Sequence, residues 1–397
     1  MLGTTSFELN NVEKTMGWIA GILLFLLIRP YFVWFFVDLE NWYAILPLYI
    51  LMFLNTKIEP SEISYYFFFV LLTLFASFCD GANIVGVAFA PLLTSLFFAS
   101  KRFIIYVYKR LWIIYCSLMA LSITVFILLL FGINVPGVFL PPLNELKDYF
   151  YMAYPFLVVA NDDLSWGFCA LFDEKGVVGT MSMFFLFIEK CNFKKVGNII
   201  ILISGILSLS LFFYGLLFIY LVYLMFIEKS YKGYRLPFLC IIIVGSIAVV
   251  TTEIGNEKIL SRLSVEEKKD DRLFAGDNRA SEDLKYYISR IRGTSDYFFG
   301  TKNENVREIA QGSASIQNVI VRWGLVTFVL YLFFYLLFSI HHIRHRRSIM
   351  LFMVFLLLSL YNRPYIFNPV FVFLFNMALF SCSAKMQPLL EWQKNGK

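Results

Sequence analysis

"LWIIYCSLMALSITVFILLLFGIN", residues 111–134, decides the fold because it carries no charged side chain over its whole length. An α-helix of about 20 apolar residues is long enough to cross the hydrocarbon core of a bilayer. Backbone N–H and C=O groups find no water in that core, so a segment that crosses it must satisfy them internally. The run therefore predicts a transmembrane helix.

Similar apolar runs recur along the 397 residues, which are 59% hydrophobic and have a mean hydropathy of +0.71. A soluble domain cannot bury that much apolar surface. We predict an all-α polytopic integral membrane protein with about 12 transmembrane helices. The predicted spans lie at 16–37, 42–55, 63–78, 82–99, 111–134, 175–188, 198–212, 214–227, 236–252, 316–340, 349–361 and 365–382.

Basic clusters between the spans predict the orientation. They occur within 101–110, 190–195, 229–235 and 344–347, all on one side of the membrane. The positive-inside rule assigns that side, and with it both termini, to the cytoplasm. The net charge of +6 is thus an orientation signal, and no nucleic-acid partner is expected. Residues 198–227 stay open between one long span and two short ones broken near Gly215.

This topology divides the chain into a bundle of spans and two outer loops. Its parts are an N-terminal bundle of five spans (1–135), a first outer loop (136–174), central spans (175–252), a large outer loop (253–315), and C-terminal spans with a tail (316–397). The large loop holds 11 basic and 12 acidic residues, so it is strongly polar but almost neutral.

The large loop contains a predicted amphipathic helix at 281–292. Ser281 or Asn278 can cap its first turn, and Gly293 can end it. We expect its apolar stripe to rest on the outer ends of the spans. The stripe has helical spacing and consists of Leu284, Tyr287, Ile288 and Ile291.

The same loop carries Arg279, Arg290 and Arg292. They could form a solvated charged face, in which Arg279 pairs with Glu282. They could instead clamp an anion, because guanidinium presents a planar fork of donors that suits phosphate oxygens. Spacing alone leaves both interpretations open.

Two quoted stretches carry a resemblance to a known family. "NRASEDLKYY…SDYFFG", starting at 278, and "SIQNVIVRWGLVTFVLYLFF", starting at 315, together resemble the O-antigen polymerase and ligase superfamily of bacterial inner-membrane proteins. In that pattern Arg279 begins a periplasmic helix and Phe299-Gly300 closes it. Gln317-Asn318 occupies the place of a His-Asn-type motif before a span that contains Gly324. The resemblance covers residues 165–340.

A second motif lies upstream, in "LFDEKGVVG" at 171–179. It is similar to the family's Phe-x-Glu-Pro-Gly element, with Phe172, Glu174 and Gly176 in place and Lys175 where the family has proline. Two departures favour the polymerase branch over the ligase branch. The ligase histidine is replaced by Gln317, and the stretch 208–215 lacks the arginine of a Ser-Arg-Gly-like element.

The resemblance implies an O-antigen or capsule polymerase, a membrane glycosyltransferase of polysaccharide and lipopolysaccharide biosynthesis. It would transfer a growing glycan from undecaprenyl or another polyprenyl diphosphate onto a lipid-linked repeat unit at the periplasmic face. The implied partners are this lipid-linked oligosaccharide, membrane lipid, a chain-length-regulating co-polymerase and a flippase; no cofactor is implied. The alternatives are an O-antigen ligase and a lipid-linked oligosaccharide flippase or other transporter.

Candidate roles follow from the resemblance together with the chemistry of the side chains. Arg279 is the first candidate to stabilise the leaving diphosphate and Arg290 the second; Glu174 is the candidate base. Glu174 could also simply pair with a cation at the interface, and Arg322 could snorkel towards water. The substrate-binding candidates are Asp173 (also the fallback base), Arg292, Gln317, Asn318 and Arg322.

Three histidines, His341, His342 and His345, lie within five residues near the end of a span. Three arginines at 344, 346 and 347 interleave with them, and a cluster of cations repels a metal ion. We therefore interpret this stretch as an orientation signal and predict no metal site.

Overall fold

The computed structural model describes residues 9–35, 42–81, 92–141, 150–228, 232–236, 240, 281–311 and 315–383. Most of these residues are helical, as the hydropathy pattern predicts. Some predictions fall outside the described residues. They concern Asn278, Arg279, nearly all of the span at 236–252 and the first part of the span at 82–99.

The helices follow the predicted spans closely. In the first half they are α1 (Asn11–Leu26), α2 (Tyr31–Phe35), α3 (Trp42–Leu54), α4 (Ile63–Cys79), α5 (92–98) and α6 (Lys101–Leu130). In the second half they are α7 (Lys175–Ile188), α8 (Val196–Leu207), α9 (Leu211–Val222), α10 (Glu282–Ile291), α11 (Ser295–Phe299), α12 (Glu304–Gln311), α13 (Ile316–His342), α14 (Arg346–Asn362) and α15 (Pro369–Cys382).

Three described helical segments are long and apolar enough to cross a membrane: Pro60–Cys79, Lys101–Leu130 and Ile316–His342. Shorter apolar helices accompany them at Tyr43–Leu54, Lys175–Ile188, Val196–Leu207, Leu211–Ile227 and Pro369–Cys382. These lengths and compositions are those of a helical membrane protein. The number of spans, about twelve, stays a prediction.

Helices α4 and α13 pack against each other in opposite directions and define two ends of the bundle. In the middle, the Phe69 and Phe334 rings are 4.7 Å apart. At one end, Asp80 Oδ2 lies 2.8 Å from Arg322 Nη2. At the other end, Glu62 Oε1 lies 2.9 Å from His342 Nε2. We call these the Asp80 end and the Glu62 end.

Other helices reach the same two ends. Ser100, just before α6, donates its N–H to the Asn55 carbonyl after α3 at 2.8 Å, and Lys101 bonds Glu59 beside Glu62. The loop between α14 and α15 reaches the Asp80 end, where the Phe367 and Trp323 rings are 5.4 Å apart. The described helices at these ends thus run in both directions along the bundle, and the full topology stays a prediction.

Residues 198–227 form two helices rather than one. Helix α8 ends at Leu207, Leu209 adopts a φ of +50°, and α9 starts at Leu211 in the opposite direction. The two helices meet closely, since a Cβ at Gly205 would lie 2.2 Å from the Phe213 ring. The break falls at 208–210 and not near Gly215, which lies inside α9.

Other helix bounds differ from the hydropathy limits. The run at 16–37 is interrupted after Leu26, where Arg29 takes a φ of +63° before Pro30. The helix predicted to begin at 111 begins at Lys101, because the Ser100 hydroxyl accepts the Phe103 N–H at 3.4 Å and starts it earlier. Such a cap acts through the backbone, so a count of apolar residues does not reveal it.

The first outer loop contains an antiparallel sheet that the sequence did not predict. Its strands are β1 (Val138–Leu140), β2 (Tyr151–Tyr154) and β3 (Leu157–Ala160), with Tyr151 opposite both Leu140 and Ala160. One face packs on Tyr31 and Phe35 of α2. Three- and four-residue strands are too short for period-two patterning to stand out.

The amphipathic helix in the large loop is confirmed by α10. The Ser281 hydroxyl accepts the Leu284 N–H at 3.3 Å, and Gly293 follows the helix with a φ of +85°. Leu284 is only 1% exposed and packs with Ala310 and with Val321 of α13. The apolar stripe therefore rests on the end of a long apolar helix, as expected.

Candidate functional site

A network of charged groups lies at the Asp80 end. Asp80 follows α4 directly, and its carboxylate accepts from Arg322 Nη2 at 2.8 Å and Nε at 3.4 Å. Arg307 donates to the Asp80 and Cys79 carbonyls at 2.9 Å each and to the Thr301 carbonyl at 2.6 Å. Because the last carbonyls of a helix have no partner within it, Arg307 caps α4. The large loop is thereby attached to α4.

Arg322 is a predicted substrate contact, with snorkelling as its alternative. Its guanidinium is paired with Asp80, lies over the Trp323 ring at 4.5 Å, and keeps 30% of the side chain exposed. Asp80 and Arg307 were not among the site residues predicted from the sequence. One signal was available for Asp80: it is an acid that immediately ends an apolar run.

Gly300 and Gly324, two glycines of the family-like pattern, allow two backbone segments to approach each other closely. Gly324 breaks the helical backbone of α13 with φ 80° and ψ 160°. A Cβ there would lie 2.2 Å from the Phe298 carbonyl oxygen, and a Cβ at Gly300 would lie 2.5 Å from the Arg322 carbonyl oxygen. The turn after α11 is thus seated directly on the segment of α13 that carries Arg322.

A cleft of about 500 Å³ opens beside this turn, between α4 and the large loop. Its polar side contains a chain of hydrogen bonds. The Tyr287 hydroxyl donates to Thr301 Oγ1 at 2.8 Å, and Thr301 Oγ1 donates to Asp296 Oδ2 at 3.3 Å. On its apolar side, Phe78 is 66% exposed on the surface of α4. The remaining lining residues are Phe75, Cys79, Ser295, Phe299, Gly300, Lys302 and Asn303.

Glu174 forms an ion pair with Arg363, which follows α14. Arg363 is 11% exposed at its side chain, and its Nη1 donates to the Tyr365 hydroxyl at 3.2 Å. Gly176 allows this approach, because a Cβ there would lie 3.0 Å from Arg363 Nη2. The ion pair that was the alternative role of Glu174 is therefore present, and its cation is Arg363, which was not named from the sequence.

The Asp80–Arg322 and Glu174–Arg363 pairs lie at the same end of the bundle. Trp323, next to Arg322, contacts Phe367 in the loop that also contains Arg363. Asp173, the fallback base, lies beside Glu174, and its carbonyl accepts from the Tyr151 hydroxyl at 3.1 Å. Sheet, α7 and α14 thus converge around the upstream motif.

The remaining candidates lie on the large loop and at the start of α13. Arg290 and Arg292 are exposed, with Arg290 Cζ 5.9 Å from the Tyr286 ring, so both can meet an anion arriving from solvent. Gln317 and Asn318 are half-buried. The side-chain oxygen of Gln317 is buried without a hydrogen-bond partner among the described residues. Such an atom is costly to leave unpaired, so a ligand donor there would be favourable.

Cys169 lies near Glu174 in sequence and would be the nearest thiol for covalent chemistry. Burial raises the pKa of this thiol to about 12. The nucleophile of cysteine is the thiolate, so Cys169 is inert near neutral pH. Acid–base and charge-stabilising roles remain for the carboxylates and arginines of this end.

Compared with known proteins, the chain matches no protein-family model, no curated protein and no solved structure. The resemblance to the O-antigen polymerase and ligase superfamily therefore depends on the motif residues themselves.

Proposed function

We propose that this protein is a membrane glycosyltransferase of the polymerase type. It transfers a glycan from polyprenyl diphosphate onto a lipid-linked repeat unit, and the Asp80 end, facing the periplasm of a bacterial inner membrane, is its reaction side. The observation that carries this proposal is the seating of the Phe299-Gly300 turn on Gly324. It brings the large loop, Arg322 and an amphipathic cleft together at one end of the apolar helices.

The cleft suits the chemistry of the donor. A polyprenyl diphosphate has an apolar chain and a compact dianionic head, so its site needs an apolar wall open to lipid next to cations. Phe75 and Phe78 supply such a wall, and Lys302 lies on the opposite, polar side. Guanidinium groups of the large loop, Arg279 first and Arg290 second, supply the bidentate contacts that phosphate oxygens favour.

The proposed reaction is a displacement at the anomeric carbon. The acceptor hydroxyl oxygen forms a bond to that carbon while the bond from the carbon to the phosphate oxygen breaks. The electron pair leaves with the polyprenyl diphosphate, whose growing charge Arg279 and Arg290 stabilise. The hydroxyl proton passes to the Glu174 carboxylate, with Asp173 as the second candidate. Arg363 positions Glu174 through their ion pair.

Two observations favour the polymerase over its alternatives. A ligase of this superfamily is expected to use a histidine where this chain has Gln317, and an amide does not accept a proton near neutral pH. A transporter places its polar groups near the bilayer midplane. Here the polar side-chain contacts between α4 and α13, Asp80–Arg322 and Glu62–His342, lie at their two ends, while aromatic rings such as Phe69 and Phe334 fill the middle.

The test is the glycan pattern of a strain that lacks the gene and is complemented with variants. We expect the deletion to leave a single repeat unit on the surface lipid and Glu174→Gln to shorten the chains severely, because glutamine keeps the shape but takes no proton. Glu228→Gln is the matched control, since Glu228 is similarly exposed (34% against 39%) and pairs with Lys190 away from the site. Normal chain lengths with Glu174→Gln, at equal membrane abundance, would contradict its role as the base.

A further inference from the structure

A second polar cluster lies at the Glu62 end, away from the proposed reaction site. Glu62 is 4% exposed, and its carboxylate lies against two histidines at the end of α13. The ligand atoms of Glu62, His341 and His342 all lie within 4.8 Å of one another. Three donors of these types are the set that catalytic zinc sites use, with one position left for water.

The two neighbours of His342 favour a positive charge on or beside its ring. Its Nδ1 lies 3.0 Å from the Phe338 carbonyl oxygen and its Nε2 lies 2.9 Å from Glu62 Oε1. Both neighbours are acceptors, yet a neutral imidazole can donate from only one nitrogen. If Nδ1–H donates to Phe338, the Nε2 lone pair faces a carboxylate. An imidazolium that donates from both nitrogens satisfies these two acceptors, and so does a neutral imidazole that shares a metal ion with Oε1. The second arrangement keeps the Nδ1–H to carbonyl bond, which is how proteins commonly orient a metal-bound histidine.

His341 supplies the third donor. It is exposed, its ring centre is 4.8 Å from that of His342, and it packs against Tyr65 at 5.0 Å. Donors bound to zinc at about 2.0–2.2 Å are roughly 3.3 Å apart in a tetrahedron, so the group must contract. Rotation of the exposed His341 side chain provides that movement.

We propose that Glu62, His341 and His342 bind one divalent transition-metal ion, with zinc as the best match to two imidazoles and a carboxylate. The ion would join α4 to α13 at the end opposite the Asp80–Arg322 pair. The proposal is independent of the glycosyltransferase activity.

The neighbouring cations were the reason to predict no metal site from the sequence. In the structure these positive charges are a smaller obstacle to metal binding. The arginines at 344, 346 and 347 are exposed. Lys101 lies 3.1 Å from Glu62, but it makes a shorter contact of 2.6 Å with Glu59, which it can keep when Glu62 turns to a metal. Glu62 is 280 residues from His342 along the chain, so its negative charge could not be placed near the histidines from the sequence.

The experiment measures metal binding by the full chain in detergent, purified without a polyhistidine tag and stripped with a chelator. Zn²⁺ is titrated calorimetrically, and Co²⁺ is followed by its visible absorption. We expect one ion per chain, and at least about a tenfold loss of affinity in His342→Ala and in His341→Ala. His345→Ala is the matched control, because this exposed side chain makes no cap hydrogen bond and lies outside the group.

Thermal unfolding provides a second readout. Zn²⁺ should raise the Tm of the wild-type chain and of His345→Ala, since an ion bound to the folded state stabilises it, and it should leave His341→Ala unchanged. If His342→Ala does not fold, the exposed His341→Ala decides the matter. Absence of binding to the wild-type chain, or equal affinity in His341→Ala and His345→Ala, overturns the proposal.

Discussion

Arg322 and Arg363 each pair with a carboxylate at the Asp80 end. The positive-inside rule predicts that the basic clusters near the Glu62 end face the cytoplasm, whereas Arg322 and Arg363 lie at the opposite end of the bundle. An isolated arginine there has no orientation role, so it needs another explanation. That signal was readable in the sequence; the partners Asp80 and Glu174 were not, since they are 242 and 189 residues away.

The Asp80–Arg322 ion pair is expected to stabilise the folded protein. Asp80→Asn leaves two guanidinium groups with reduced compensation, and because the pair is about a quarter to a third exposed, we expect a loss of about 1–2 kcal/mol, less than for a fully buried pair. Glu59→Gln, which removes an exposed partner of Lys101, should cost about 0.5 kcal/mol or less. Chemical unfolding in detergent measures both. Equal losses in the two variants would show that the Asp80 network contributes no more than a surface pair.

Arg279 makes a prediction about activity. It lies outside the described residues, two positions before the Ser281 cap of α10, so the prediction follows from guanidinium chemistry and the resemblance. Arg279→Lys keeps the charge but loses the planar fork, and we expect polymerisation to fall about tenfold or more. Arg346→Lys is the control, because Arg346 is exposed near the Glu62 end, away from the proposed reaction site. The measurement is the distribution of glycan chain lengths in cells that contain equal amounts of the protein. Full activity of Arg279→Lys would exclude a bidentate role.

Helices were predictable wherever a clear apolar run or amphipathic pattern specifies them. Helices α7 and α10 have nearly the predicted limits, because each starts and ends at a polar boundary visible in the sequence. Breaks within apolar runs were not predictable. The reversal at 208–210 and the bend at Arg29 depend on backbone angles and tertiary contacts that leave no mark on hydropathy. The strands were missed because tertiary packing on α2, rather than pattern, stabilises such short segments.

Gly324 gives a test at the level of elements. Alanine there has a positive φ and a Cβ 2.2 Å from a carbonyl oxygen, so Gly324→Ala must displace the turn after α11. We expect a loss of about 1–3 kcal/mol together with loss of the cleft. Gly215→Ala is the matched control, since Gly215 lies within α9 with nothing within 4 Å of its added Cβ. That change should be neutral or stabilising by up to about 1 kcal/mol. Equal unfolding transitions for the two variants would show that the close contact between Gly324 and the turn after α11 does not contribute to stability.

The whole molecule separates its chemistry by position. Aromatic and aliphatic side chains fill the interior, as around Phe184, whose ring lies near those of Phe355, Phe371 and Phe375. Polar side-chain contacts lie at both ends of the α4–α13 contact, an ion pair between Asp80 and Arg322 and a hydrogen bond between Glu62 and His342. The fold class and the up-and-down course followed from the periodic apolar runs, because a bilayer permits few other structures. Which helices contact one another at each end did not follow from the apolar runs, because an apolar helix carries little information about its neighbours.

Orientation in the membrane is the prediction on which the proposed reaction depends. In a Cys240→Ser background, which removes an exposed native thiol, single cysteines replace Lys302 in the loop of the Asp80 end and Arg344 near the Glu62 end, both exposed. A membrane-impermeant maleimide should label Lys302→Cys in intact cells and Arg344→Cys only after the membrane is disrupted, because the basic cluster keeps Arg344 on the cytoplasmic side. The buried native thiols, such as that of Cys191, serve as the unreactive background. The reverse labelling pattern would place the cleft and the large loop in the cytoplasm, where a periplasmic polymerase could not use them.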